Sequence, residues 1–553
     1  MHRSSLFRTF LVVMAVAVMA LLVTAPSMAA PANPCAVPVD VNRYGMKPFQ
    51  NPPVISSVGG VLTATLDIRY TNPATTMIGE CHLKLRSYGG TLVGPTLRVK
   101  PGDVMKIVVK NSLPPVPCKP EESMAMGHMA MSSDVYNWTN LHTHGLHLSP
   151  GDNPNGTHSD NVFINICPGT SARYEIHIPK DQPPGTSWYH AHLHGSTALQ
   201  VSSSMEGAII VEGGLDNVPQ IKAAKDQIFA LQQISYDSKG EIENAADMYD
   251  NWEQTGSRTM VNGQLVPKIE MRPGEVQRWR FIDGGVSESL YLQVAGMALN
   301  EIATDGNALG RIDVWRTPLE LEPGYRSDVL FKAPLRPGRY YLTSGAVSVK
   351  LSLLHLAAPG EAAVVHKATP ATTVAVIDVT GPVNDMPLPT SAELAPYQPF
   401  KPITNAELNG APQKMSFALE EADCSGPGPC KPCPPGQECD YQYMVDMYSY
   451  PKGPTRFLKL NTASEWTLEV ASTSAGQAHP FHIHVNPFQM VRKGPTGADE
   501  TVWKDTLMVR EGAPLKYRVV RSRYVDFTGA FVLHCHILPH EDSGMMQKVE
   551  IVK

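Results

Sequence analysis

One pattern recurs three times along the chain and restricts its fold more than any other: a turn, an acidic residue, then alternating apolar and polar positions. The copies are Lys100-Pro101-Gly102-Asp103 running into Val104–Val109, Arg272-Pro273-Gly274-Glu275 running into Val276–Phe281, and Ser464-Glu465-Trp466-Thr467-Leu468-Glu469-Val470. Pro101 and Pro273 lie 172 positions apart, and a comparable interval leads to the third copy. That interval suits one sandwich-sized unit repeated three times, and a two-residue period with regular turns favours strands over a helical array. Glycine and proline, at 43 and 48 copies in 553 residues, supply the turns between many short strands. The expected fold is therefore all-β. Breaks fall at Gly213-Gly214 and in the proline-rich stretch Pro382–Pro402, giving units at 30–214, 215–385 and 386–553. One short helix is expected between Gly240 and Trp252.

With 42% hydrophobic and 18% charged residues the chain has enough apolar material for buried cores and too little charge for disorder. A formal charge of −6, with Lys and Arg scattered, argues against a nucleic-acid partner. His2, Arg3 and Arg8 precede an apolar run from Phe10 to Val23 and the small residues Ser27-Met28-Ala29, the three parts of a secretory signal peptide over residues 1–29. The run is shorter than the ~20 residues that span a bilayer. No later run is long enough either, so no membrane span is expected. No twin-arginine pair is present, and Cys35 follows Pro34, so neither folded export nor lipid acylation is indicated. A soluble protein of the periplasm or extracellular space is expected. In that oxidising setting Cys35, Cys81, Cys118, Cys167, Cys424, Cys430, Cys433 and Cys439 suit disulfides, with the pairing open. A four-thiolate zinc site in the segment Cys424–Cys439 is the rival reading.

The histidines carry the chemistry. Ten of the 19 sit in four tight groups: His142-Thr-His144, His190-Ala-His192, His479-Pro-Phe-His482-Ile-His484 and His534-Cys535-His536-Ile-Leu-Pro-His540. The first two lie in the first unit and the last two in the third; the middle unit has only the unclustered His355 and His366. In a strand, residues at i and i+2 project from the same face, so each of the pairs His142/His144, His190/His192, His482/His484 and His534/His536 can grip metal together. Eight imidazoles are too many for one ion and suit a multinuclear cluster. Cys535 lies between two of them and faces the other way, toward a second site that His479 and His540 can complete with a weak thioether from Met545. Two imidazoles, a thiolate and a long axial methionine make the blue-copper arrangement. Any one histidine is more simply a satisfied core residue, but four spaced pairs with a cysteine inside one of them are not. Zinc competes as the metal, yet a thiolate site joined covalently to an imidazole cluster suits redox chemistry and not hydrolysis.

These four motifs, in this order, resemble the multicopper oxidase family, which includes laccases, bilirubin oxidases and copper-resistance oxidases. Gly94-Pro95-Thr96-Leu97-Arg98-Val99 and Val261-Asn262-Gly263 are also similar to family segments. The resemblance implies three cupredoxin-like Greek-key β-sandwich domains and four copper ions: one type 1, one type 2 and two type 3. By motif position, His479, Cys535 and His540 with axial Met545 match the type 1 ligands, and His142 and His482 those of the type 2 copper. His144, His190, His192, His484, His534 and His536 match the type 3 ligands. Carboxylates near the cluster assist proton delivery in the family. Glu541 matches one of them and Asp160 the other, although the loop Ser149–Ser159 is longer than the family pattern and Asp160 reads equally as a loop-capping carboxylate.

The resemblance implies dioxygen and a small-molecule reductant as the partners of a monomeric enzyme. The reductant is the open question. A laccase-like oxidase of phenolic or other small organic donors is the leading reading. The alternative, a cuprous or metal-ion oxidase, draws on Met124, Met126, His128, Met129 and Met131, whose soft thioethers suit Cu(I); the same segment also reads as a mobile loop without a ligand, and Met444 and Met447 are weaker hints. A non-catalytic copper-binding or scaffold protein is the reading from another class, disfavoured because the full ligand set is kept.

Overall fold

In the computed structural model, which describes residues 33–118, 135–243, 259–345, 371–426, 428–434, 439–471 and 478–553, strands dominate and helices are short. The signal peptide, His355, His366 and the methionine-rich segment 124–131 lie outside the described residues.

Each copy of the repeat becomes a central strand with the same neighbours. Val104–Asn111 runs parallel to Val61–Tyr70 and antiparallel to Ser171–His177. Val276–Asp283 runs parallel to Lys225–Gln232 and antiparallel to Arg326–Lys332. Thr462–Val470 runs parallel to Gln413–Asp423 and antiparallel to Val519–Tyr524. The conserved geometry begins in the turn. Gly102 and Gly274 stand at φ +90° and +81°, where a side chain is strained, and the amides of Asp103 and Glu275 close the turn on the carbonyls of Lys100 and Arg272 at 3.0 Å in both cases. The acidic side chains then accept from the Lys100 and Arg272 amides at 2.8 and 2.9 Å. In the first two copies the acidic residue is thus a backbone clasp, whereas Glu465 of the third accepts from Arg521 Nε at 2.9 Å.

Three pairs of sheets follow, matching the three sandwiches expected. The first packs a five-stranded sheet, Val54–Ser56, Thr96–Val99, Glu206–Val211, Gly185–His190 and His142–His144 in spatial order, on a four-stranded one. Strict alternation along Val61–Tyr70 sends Leu62, Ala64, Leu66 and Ile68 into its core. The middle pair has six and five strands around Phe229, Trp279, Phe281 and Phe331. Its strand Val276–Asp283 is buried at all eight positions because the outer face is covered too: Val276 lies in a second apolar cluster with Leu215 and Ile302, Ile282 in a third with Trp188, and Arg278 and Arg280 pair with Asp216, Asp226 and Asp328. The last pair has seven and five strands, and its core includes Phe417, Trp466, Phe481, Cys535 and Met545.

All eight cysteines other than Cys535 are paired, as Cys35–Cys81, Cys118–Cys167, Cys424–Cys430 and Cys433–Cys439. The zinc reading of the Cys424–Cys439 segment therefore falls. The expected helix at 240–252 is corrected in part. Residues 240–243 form a turn and a bridge between Glu241 and Lys84, held because the Gly240 carbonyl accepts from the Lys84 amide, and the remainder lies outside the described residues.

Candidate metal centre

An edge strand of the first sandwich and an interior strand of the last bring the histidine pairs together. In the first sandwich His142–His144 runs antiparallel to Gly185–His190 with His142 opposite His190. In the last, Ala478–Ile483 lies antiparallel to Gly529–Cys535 with His482 opposite His534. The two sandwiches meet here. His142 stacks on His484 and His144 on His482, each with ring centroids 3.8 Å apart.

The eight imidazoles are buried and sort by donor-atom separation. His144, His190 and His536 form one group whose ligand atoms lie within 4.8 Å of one another, and His192, His484 and His534 form another; His142 and His482 meet in a third group that borrows His144. The rings are pre-set by acceptors that cannot donate, so the nitrogen facing each must carry the proton. His482 Nδ1 donates to the Asp505 carbonyl at 2.8 Å, His190 Nδ1 to the Ala191 carbonyl at 2.9 Å and His534 Nδ1 to the Cys535 carbonyl at 3.0 Å. The other nitrogens, Nε2 of His142, His190 and His482 and Nδ1 of His144 and His484, are buried without a hydrogen-bond partner among the described residues, as are both of His536. Burial holds all eight imidazoles below their usual pKa, hence neutral with lone pairs available. Orphaned buried lone pairs aimed at one another are what bound cations would satisfy.

Behind the cylinder of rings in sequence, but opposite it in space, lies the second site. Cys535 points into the core of the last sandwich, away from His534 and His536, as alternation requires. Its Sγ is 3.5 Å from His479 Nδ1 and 3.8 Å from His540 Nδ1, and the two nitrogens are 3.3 Å apart. These are the separations of donors around one ion with bonds of about 2.0 Å to nitrogen and 2.3 Å to sulfur. Met545 is fully buried in the same core, and its carbonyl accepts from the Cys535 amide at 3.0 Å. Burial pushes the Cys535 thiol up, so a metal is needed to make it a thiolate. Phe417 packs over His479, which is 1% exposed, while His540 is partly exposed beside Tyr443, 4.9 Å between ring centroids.

Both carboxylates singled out in the sequence stand at the imidazole cluster. Asp160 is 4% exposed, with His142 Nδ1 at 3.0 Å, and accepts from the Thr143 amide at 2.8 Å and hydroxyl at 2.9 Å. Burial raises its pKa to about 7. Glu541 is fully buried, 3.4 Å from His192 Nδ1 and 3.2 Å from His534 Nδ1, and burial raises its pKa as well.

Four residues escaped the sequence reading. Asp505 accepts from His144 Nε2 at 3.0 Å and from the Thr506 hydroxyl at 2.8 Å, and that hydroxyl also touches His482 Nδ1 at 3.1 Å. Arg326, from the middle sandwich, holds both oxygens of Asp505. Asp542 accepts from the amides of Gly195, Thr197 and Ala198 at 2.7–3.2 Å, capping the helix Thr197–Ser202 and tying the first sandwich to the residue after Glu541. None has a local spacing signal; apart from the adjacent Asp505 and Thr506, the partners named are tens to hundreds of positions away.

Family models described as multicopper oxidase match residues 129–215, 226–366 and 436–553, together more than half of the chain. The multicopper oxidase of Staphylococcus aureus is 24% identical over 476 residues, covering 84% of this chain and 83% of its own. A laccase of Bacillus subtilis is 21% identical over 510 residues, covering 85% and 90%. Among solved structures, a multicopper oxidase from Campylobacter jejuni, described as a metallo-oxidase, superposes with a TM-score of 0.67 at 22% identity, covering 95% of this chain and 99% of its own.

Proposed function

Since the chain belongs to the multicopper oxidase family, we propose that it is a laccase-like oxidase that takes single electrons from a phenolic or other small organic donor at the rim of His540 and passes them to dioxygen. The observation that carries this reading is the presence of two complete donor sets, the eight converging imidazoles and the His479, Cys535 and His540 triangle, in one chain. Four copper ions bound there, one held by the triangle together with Met545, one by His142 and His482, and two by His144, His190 and His536 and by His192, His484 and His534, would supply the one-electron oxidation of the donor and the four-electron reduction of dioxygen to water.

The side chains set the conditions for that chemistry. His540 is the only one of the triangle's two imidazoles to reach the surface, so an aromatic donor approaches its edge past Tyr443. The covalent path from Cys535 through its own main chain to His534 and His536 joins the two donor sets without crossing solvent. Glu541, kept protonated by burial and within 3.4 Å of His192 and His534, holds a proton where oxygen chemistry demands one. Asp160 fixes the tautomer of His142. The protein acts as an exported monomer built of units 30–214, 215–385 and 386–553, with residues 1–29 as its signal peptide; among the described residues no helix is long and apolar enough to cross a membrane.

A second reading, oxidation of Cu(I), is favoured by the soft donors Met124, Met126, His128, Met129 and Met131. Oxygen uptake by the copper-loaded protein with a phenol and with Cu(I) under identical conditions decides between them. Faster uptake with the phenol supports the laccase-like reading; preference for Cu(I), lost on deleting 124–131, overturns it in favour of the second. No uptake with either donor refutes both and restores a non-catalytic copper protein.

A further inference from the structure

A cleft of about 190 Å³ opens between the middle and last sandwiches, lined by neither His540 nor Tyr443. Its walls are aromatic: Tyr291, Trp315 and Tyr325 on one side and Tyr517 on the other. The volume falls below the ~300–1,000 Å³ of sites for drug-sized molecules, so it suits a ligand of one ring.

The polar groups of the cleft are unevenly satisfied. Its two carboxylates are spoken for. Glu301 accepts from the Ser327 hydroxyl at 2.9 Å, Trp315 Nε1 at 2.9 Å and Arg492 at 2.8 Å, and Glu320 is held by Arg510. The donors are not all used. Arg492 Nε is buried without a hydrogen-bond acceptor among the described residues, with a carboxylate oxygen of Glu500 at 3.8 Å. Arg518 spends Nε and one Nη on the carbonyls of Ala513 and Leu468, and its nearest carboxylate oxygen, that of Glu469, stands at 4.0 Å. Tyr325 accepts from the Met508 amide at 2.7 Å, which leaves its own hydroxyl proton to donate. Lys504 lies 3.6 Å above the Tyr325 ring and Lys493 borders the same space, each matched by an aspartate behind it. Aromatic walls with surplus N–H and O–H donors, and acceptors already filled, call for a flat ring bearing an anionic acceptor.

We propose that this cleft binds an aromatic carboxylate, its ring against Tyr325 and Trp315 and its carboxylate on Arg518. The site is distinct from the donor rim, and residues next to its lining reach the imidazole cluster. Gly324, next to Tyr325, is packed so closely on His536 that a Cβ there would come within 2.9 Å of the ring, and Thr506, two residues before Met508 and on the same face of its strand, touches His144 and His482.

Calorimetric titration of the copper-loaded protein with sodium benzoate, which has no phenol to oxidise, tests the site. The expected result is saturable binding at one site, at least tenfold tighter than acetate, and weakened at least tenfold both by Met508→Trp, which fills the cleft, and by Arg518→Gln, which removes the anchor at its rim. Near-ultraviolet circular dichroism checks that each variant is folded, and Arg518→Gln, on a part-exposed side chain, serves if Met508→Trp is not. Absence of saturable binding overturns the proposal. So does binding undiminished in the folded variants but lost in Tyr443→Ala, which would put benzoate at the His540 rim instead.

Discussion

Removing the guanidinium of Arg326 should damage both the fold and the metal centre, although the middle sandwich supplies none of the imidazoles of the cluster. Arg326 is fully buried, donates to both oxygens of Asp505 and to the Gly324 carbonyl at 2.9 Å, and stands 3.8 Å from Asp305. In Arg326→Met the Asp505 carboxylate remains, 7% exposed, with its charge partner gone. Breaking a buried pair from one side costs about 3–5 kcal/mol, and solvent does not screen it here. For units of 150–250 residues that corresponds to a fall of about 6–20 °C in unfolding temperature. Asp505 also orients His144 directly and His482 through Thr506. Losing such an outer partner lowers metal affinity about 10–100-fold. Arg326→Lys should rescue little, since one ammonium cannot serve two carboxylate oxygens and a carbonyl in a fixed fork. Differential scanning calorimetry with copper analysis before and after dialysis against a chelator reads both effects. A shift under about 2 °C with full copper retention would show that Asp505 needs no cation and that the middle sandwich does not position the cluster.

Further outcomes follow from single contacts. Glu541→Gln keeps the shape beside His192 and His534 but loses the proton, so oxygen uptake should fall about 10²–10⁴-fold at unchanged copper content; full activity would remove Glu541 from the proton path. Gly324→Ala, at φ +89° and against His536, should lower the copper bound per chain, measured by atomic absorption. His147 joins the first sandwich to the last through the Val485 carbonyl at 2.7 Å and Asp526 at 2.8 Å, with Asp181 adding attraction, so both ring nitrogens must carry protons. Its pKa is raised by Asp526 against the opposing effect of burial, while that of Asp526 is lowered by His147. The histidine's contribution is full below its unfolded pKa and is lost as pH rises through the higher folded one. The aspartate's is full above its unfolded pKa and lost as pH falls through the lower folded one. The difference in unfolding temperature between wild type and Asp526→Asn should therefore peak between about pH 4 and 6.5 and shrink on either side; a difference independent of pH would refute the latch.

What the sequence disclosed was what local spacing encodes. The i, i+2 histidine pairs needed only the strand period to be read as one-faced, and Cys535 between two of them had to point the other way. The repeat was legible because turn, acid and alternation sit within ten residues, and in the first two copies the acid closes its own turn. What stayed hidden is long-range. Arg326 meets Asp505 across 179 positions and Asp542 meets Gly195 across 347. Nothing in the chain says that Phe417 covers His479 while His540 stays open, or how eight cysteines pair. Gly240 and Glu241 were drawn from helix into a turn and bridge by Lys84, a partner over 150 positions away.

The central claim is that electrons taken up at the Cys535 site reduce dioxygen at the imidazole cluster. Oxygen consumption with a phenolic donor, measured beside peroxide release for the copper-loaded wild type and a folded Cys535→Ser variant, tests it most directly. The account predicts uptake without peroxide in the wild type, and loss of both turnover and the blue absorption in the variant. Wild-type uptake in Cys535→Ser would contradict it.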